Sequence, residues 1–379
     1  MEHIIYLDNS ATTKPSKTAV EYINKALTEN WGNPSSLHSL GFNAEILVQK
    51  ARSVLSKFIN ARDDEIFFTS CGTESNNTAI MSALHRKNRG NRIITTKIEH
   101  PSVLQTVKRL ENDGFEVIYL DVDSCGQIDL SQLREALNDK TVLVSIMLVN
   151  NEIGTIEPIK EAVKLTKELS PNTVFHCDGV QGFGKIPINI KDLGVDMLSA
   201  SAHKIGGSKG IGLLYCKKGL KIAPLLTGGG QEKGLRSGTE AVPLIAGFSG
   251  ALKDLGNLND NLKYIKELNA YARESFADSG FIEINSPENA LEYILNISVV
   301  GYRSETLLHF LESRNIFVSS GSACAKGETS YVLGSVGLPQ KRSDSALRLS
   351  FSKDNTKEDI RQVLEALRTA TRTLRPSKI

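Results

Sequence analysis

Short runs of continuously apolar or β-branched residues, at 65–69, 92–96, 116–120, 141–148 and 173–177, alternate with stretches whose apolar positions recur every three or four residues. The runs have strand length, and the wider spacing predicts helices over Glu74–Arg86, Ser102–Asn112, Leu130–Leu137 and Ile159–Leu169. A further run, Val195–Leu198, reads as one more buried strand. Strands apolar throughout, each followed by a helix, predict an α/β fold with a mostly parallel sheet covered on both faces. In such sheets ligands sit beyond the carboxyl ends of the strands, so the loops after Phe68, Leu148, Cys177 and Leu198 should converge on one site.

The pattern changes after Gly228-Gly229-Gly230. A long helix is predicted from about Glu240 through Arg273, then a strand at Glu292–Val299, a helix at Ser304–Arg314, a strand at Ala346–Phe351 and a closing helix from Lys357 to about Leu374. A chain of 379 residues exceeds the size at which single cores stop growing, so a second domain is expected from near residue 256.

Charged residues make up 23% of the chain with a formal net charge of +2 and no long block of one sign, which argues against a nucleic-acid or membrane partner. The five cysteines, Cys71, Cys125, Cys177, Cys216 and Cys324, show no CxxC spacing, so neither a zinc site nor a disulfide framework is predicted. With no secretory leader and no apolar stretch of membrane-spanning length, a cytoplasmic protein is expected.

Candidate chemistry gathers at the predicted strand ends. Lys204 closes the run Ser199-Ala200-Ser201-Ala202-His203-Lys204 ahead of a glycine-rich turn, where a partly desolvated amine suits Schiff-base chemistry. Cys71-Gly72-Thr73 stands where a strand gives way to a helix, a place to receive a phosphate; ordinary capping by Thr73 or Ser70 is the alternative. Asp178 follows a buried strand and suits a pyridine nitrogen, or else caps a helix. His100 precedes a helix, placed to stack on a ring or move protons, or else serves a structural role, and Asn151 follows the longest apolar strand, where it binds an oxygen or forms a turn.

Together with Tyr6–Thr13, Gly32–Ser36, Thr73–Asn76, Glu99-His100, Val149–Gly154, Asp178–Gln181, Ser201–Lys204, Arg236–Thr239 and Ser322-Ala323-Cys324, this ordered set resembles the cysteine desulfurases of the NifS/IscS type, fold-type I pyridoxal phosphate enzymes of the class V aminotransferase family. The resemblance implies a large cofactor-binding domain over 15–255, with a seven-stranded mostly parallel sheet. Residues 1–14 and 256–379 would form a smaller α+β domain carrying the catalytic-cysteine loop. It implies pyridoxal 5'-phosphate held covalently by Lys204, with Asp178 on the pyridine nitrogen, His100 over the ring and Gln181 near the phenolic oxygen. Gly72, Thr73, Ser201, His203 and a Thr239 from the second subunit of a homodimer would hold the phosphate. Arg348 would meet the substrate carboxylate, helped by Asn151 and Asn33.

By the same resemblance, Lys204 removes the Cα proton of L-cysteine and the Cys324 thiolate takes the substrate sulfur as a persulfide, releasing alanine. His100 handles the thiol proton. The sulfur would pass to an acceptor such as an iron–sulfur scaffold or a tRNA-thiolating enzyme, and no resident metal is implied beyond transient iron–sulfur ligation by Cys324. Selenocysteine lyase or another class V lyase or aminotransferase is the alternative reading, with a non-catalytic sulfur-assembly scaffold more remote. The other four cysteines are expected to be inert thiols, with Cys125 in an exposed polar turn. Two segments depart from the family pattern: the turn Gly206-Gly207-Ser208-Lys209, and Ala325–Ser330, which is shorter than the loop of the housekeeping branch.

Overall fold

A computed structural model of the chain describes residues 3–320 and 330–376. Strand β1 (Ile5–Tyr6) is followed by β2 (Ile66–Thr69), β3 (Arg92–Thr96), β4 (Glu116–Leu120), β5 (Thr141–Met147), β6 (Val174–Asp178), β7 (Met197–Ser201) and β8 (Gly212–Cys216). Strands β2 to β8 form one seven-stranded sheet in the order β2-β8-β7-β6-β5-β3-β4, parallel except that β8 runs antiparallel to both its neighbours. Every residue of β5, β6 and β7 is buried, as a sheet with both faces covered requires.

Two predicted boundaries move. The strand read as Val195–Leu198 runs from Met197 to Ser201, so Ser199, Ala200 and Ser201 lie within it and Lys204 follows in a single 3-10 turn, Ala202–Lys204. Small polar residues blurred its end; they are tolerated there because Ser199 Oγ is hydrogen-bonded to His176 Nε2 at 2.9 Å on the neighbouring strand. The helix predicted over 240–273 is two helices, Val242–Leu255 and Leu258–Ala277. Gly256 breaks it with φ 64° and ψ −137°, and the Asn257 side chain caps the second helix.

The remaining strands are β9 (Glu283–Ile284), β10 (Ile294–Ser298), β11 (Ile316–Phe317), β12 (Ser319–Ser320) and β13 (Ala346–Ser350). A second sheet has the order β12-β13-β10-β9, and β1 pairs with β11. The amino-terminal segment is therefore built into the carboxyl-terminal half: Asp8 bridges to Ser350, and Ser350 N donates to Leu7 O. The closing helix Lys357–Thr373 begins with a capping box between Thr356 and Asp359. One large apolar core, including Phe175, Phe183, Phe248 and Phe351, extends from the seven-stranded sheet into this half. None of the described helices is long and apolar enough to cross a membrane.

Candidate active site

The loops following β2, β3, β5, β6 and β7 meet at the carboxyl ends of their strands, around a cleft of about 180 Å³. Nine of the predicted site residues line it: Gly72, Thr73, His100, Asn151, Asp178, Gln181, Ser201, His203 and Lys204. Cys71, Asn76, Ser102 and Val180 complete much of its wall.

One end of the cleft is the start of the helix Gly72–Met81. Its N-cap is Cys71, which supplies no side-chain cap, so capping by Thr73 or Ser70 does not occur. Opposite stands Ser201 Oγ, buried and without a partner among the described residues. Gly72 lets backbone, Val180 and Ser201 pack together: a Cβ there would come within 2.7 Å of Val180 Cγ2. A helix start with an open first turn beside an unsatisfied hydroxyl has the donors that a phosphate accepts.

In the middle of the cleft, Asp178 Oδ2 accepts from Asn76 Nδ2 at 2.7 Å and Oδ1 accepts from the Val180 N–H at 3.0 Å. His100 Nδ1 accepts from the Ser102 N–H at 3.1 Å, which caps the helix Pro101–Asn112. That bond leaves Nε2 as the protonated nitrogen of the neutral ring. Burial pulls the His100 pKa down; the Asp178 charge works against this and Lys204 with it. Burial likewise depresses His203 to about 4, with further lowering from Lys204 and Lys209.

Lys204 Nζ donates to Ser10 O at 2.5 Å and to Ala11 O at 2.8 Å. Gln181 Nε2 donates to Ser10 O as well, at 3.0 Å. Thr13 ties the same segment down, donating its N–H and hydroxyl to His203 O and accepting from the Gly206 N–H. Residues 8–13 thus lie over the turn that carries Lys204.

The aminotransferase class-V family model matches residues 5–363. The chain is 44% identical to a cysteine desulfurase IscS of Clostridium botulinum over 97% of this chain and 94% of that protein. The chain belongs to the class-V aminotransferase family. Within it, the chain is of the NifS/IscS cysteine desulfurase type, and a solved structure titled NifS-like protein superposes with a TM-score of 0.94 at 38% identity, covering 98% of this chain and all of that one. A second solved structure, titled SspA in complex with cysteine, superposes with a TM-score of 0.83 at 33% identity over 93% of this chain and all of that one.

Against that class-V framework, three predicted residues among those described, Asn33, Thr239 and Arg348, stand apart from the cleft wall. Cys324 lies outside the described residues. Asn33 is exposed, and its Oδ1 accepts from the Ser35 N–H at 3.0 Å in a local turn. Thr239 is exposed. Arg348 is buried and held from two sides, with Nη2 donating to Asp8 Oδ1 at 2.7 Å and Nη1 to Asn151 O at 3.0 Å. Its Nε is buried with no partner among the described residues.

Cys177 and Cys216 are buried, and burial pushes both thiols up. Cys71 is half-buried and part of the cleft wall, and Cys125 is half-buried too. Sequence reasoning gave no role to Ser10, Asn76, Ser102 or Lys185. Ser10 and Asn76 fall within the Tyr6–Thr13 and Thr73–Asn76 motifs, while Ser102 and Lys185 carry no local signal.

Proposed function

We propose that the chain is a pyridoxal phosphate-dependent cysteine desulfurase that converts L-cysteine to L-alanine and leaves the sulfur as a persulfide on Cys324. The observation that carries this reading is the cleft itself, where Lys204, Asp178 and His100 stand beside the open helix start at Gly72 and the unsatisfied Ser201 hydroxyl. A bound cysteine in the SspA relative supports the substrate.

When bound, the cofactor supplies a ring that accepts the electron pair left as the substrate Cα loses its proton. Gly72, Thr73, Ser201 and His203 would hold its phosphate, Asp178 its pyridine nitrogen and Gln181 its phenolic oxygen. Lys204 Nζ would hold the cofactor and take the Cα proton. His100, neutral and protonated at Nε2, gives or relays a proton at that atom. Arg348 would meet the substrate carboxylate through its unpaired Nε, with Asn151 and Asn33 assisting. Cys324 Sγ then bonds to the substrate sulfur as the Cβ–S bond breaks; the electron pair stays on the carbon fragment, which is protonated and leaves as alanine.

Residues 15–255 serve as the cofactor-binding domain, with 1–14 and 256–379 as the smaller domain; the pairing of β1 with β11 supports this division. A homodimer is part of the same reading. Trp31, Leu37 and Phe42 are 66%, 104% and 58% exposed, an apolar surface suited to a second copy, whose Thr239 would reach the phosphate. The acceptor in this reading is a cytoplasmic protein that takes up persulfide sulfur, such as an iron–sulfur scaffold, a tRNA-thiolating enzyme or an enzyme of thio-cofactor synthesis.

Alanine and persulfide formation from L-cysteine, followed with intact-protein mass, tests the reading. Wild type should form both, and Cys324→Ala should bind cofactor yet form no persulfide. Equal alanine release by the two proteins overturns the assignment of Cys324.

A further inference from the structure

Lys185 is a lysine with almost no exposed surface, on the turn that follows β6. Its Nζ donates to Gln181 Oε1 at 2.8 Å and lies 6.0 Å from the centroid of the Tyr293 ring. Burial, together with repulsion from Lys204 and Arg348, lowers its pKa to about 7. An amine buried this deeply is costly to keep, and a methionine would fill the same space without that cost.

What the amine contributes is visible at Gln181. A side-chain amide has one accepting end and one donating end, which an apolar setting does not distinguish. Here Lys185 Nζ, a donor, faces Oε1, and Ser10 O, an acceptor, faces Nε2 at 3.0 Å. Each neighbour admits one orientation, and both demand the same one. Gln181 lines the cleft, and its NH2 group retains one hydrogen beyond that given to Ser10 O. Ser10 O also accepts from Lys204 Nζ, so the chain of contacts from Lys185 ends at the proposed catalytic amine.

We propose that Lys185 is a positioning residue that locks the Gln181 amide with its donor end toward the cleft, and so sets the hydrogen bond that Gln181 gives the phenolic oxygen of the bound cofactor. The proposal rests on the pyridoxal phosphate reading. Removing Lys185 leaves Gln181 Oε1 buried without a donor, which favours rotation of the amide away from the cleft.

The test uses the cofactor-loaded enzyme and the pH midpoint of its visible absorption band, alongside cofactor content and thermal stability. Lys185→Met should keep the cofactor but move the midpoint by roughly one pH unit, in the same direction as Gln181→Ala. Combining the two substitutions should add little to Gln181→Ala alone, since both remove one interaction. Lys185→Arg, which keeps an obligate donor, should stay nearer to wild type. Additive shifts in the double variant, or equal shifts in Lys185→Met and Lys185→Arg, overturn the proposal. A wild-type protein with no visible band under saturating pyridoxal phosphate overturns the cofactor reading instead.

Discussion

Asn76 Nδ2 is shared between two acceptors, Asp178 Oδ2 at 2.7 Å and Ser102 Oγ at 2.8 Å, and so links the helix after β2 to the ends of β3 and β6. The two Asp178 oxygens accept from the Asn76 amide and the Val180 N–H. Neutral donors of this kind hold a carboxylate in place while leaving its charge for a third group.

Asn76→Ala is expected to weaken pyridoxal phosphate binding about tenfold, the scale of one hydrogen bond to a charged acceptor, while the apo protein stays folded. Asn76→Asp should be worse, since it sets a second carboxylate against Asp178. Cofactor dissociation constants from fluorescence titration of the apo proteins check both. Unchanged affinity in Asn76→Ala would show that Asp178 needs no such support.

Ser201 gives a contrasting expectation. Its hydroxyl is buried and unsatisfied among the described residues, so Ser201→Ala removes a desolvated polar atom that contributes nothing to the cofactor-free fold. The apo variant should therefore melt at the wild-type temperature or slightly above it. Its affinity for pyridoxal phosphate should fall by roughly threefold to tenfold, because the hydroxyl finds its acceptor only in the loaded site. Calorimetry with and without cofactor separates the two effects; equal loss of apo stability and affinity would falsify this role.

The sheet was legible where its strands carry compact runs of β-branched and apolar residues: β3 and β4 lie where the pattern put them, β3 buried after Arg92 and β4 at the sheet edge with Leu120 buried. β8 was missed, since it begins at Gly212 directly after a glycine-rich turn, and the antiparallel entry of this one strand follows no repeat of the preceding units. Gly72, Thr73, His100, Asn151, Asp178 and Lys204 were legible because each sits near the end of a strand, while Gln181, Ser201 and His203 were reached through the family resemblance. Lys185, Ser10 and the Asn76 link were not, for their meaning lies in partners remote along the chain: Gln181 meets Ser10 across 171 positions and Asn76 meets Asp178 across 102. Asp8 likewise gave no hint that it would hold Arg348 from 340 positions away.

Glu152 predicts a particular pH dependence. Its Oε2 accepts from Ser330 Oγ at 2.5 Å, and burial raises its carboxyl from 4.5 to about 7 in spite of that bond and of the Arg348 charge. The folded protein therefore holds a proton on Glu152 between those values while the unfolded chain has released it. The resulting stability is complete below pH 4.5 and is lost as pH rises through 7. Glu152→Gln imitates the protonated form. From pH 5 to pH 8, wild type should lose on the order of 3 kcal/mol relative to the variant, read from urea unfolding at each pH. A constant difference between the two proteins would mean that Glu152 does not titrate in this window.

The last expectation concerns the edge of the large sheet. Arg52 grips both oxygens of Glu232 at 2.9 and 2.8 Å and donates to Ile66 O at 2.6 Å, while Glu232 Oε2 accepts from the Phe68 N–H at 3.0 Å. β2 is an edge strand, so this ion pair satisfies the backbone groups that its open side would otherwise bury. Glu232 also sits at φ 49°, a left-handed backbone that the pair holds in place. From there the chain runs to Arg236, whose Nε donates to Glu74 Oε1 at 3.1 Å in the first turn of the helix Gly72–Met81. Arg52→Met strands a buried carboxylate and should cost about 3–5 kcal/mol in urea unfolding. Adding Glu232→Leu removes that charge but leaves Phe68 N–H and Ile66 O without their side-chain partners, so the double variant should regain part of the loss and remain below wild type. Full recovery in the double variant would mean that the pair contributes nothing to the strand edge.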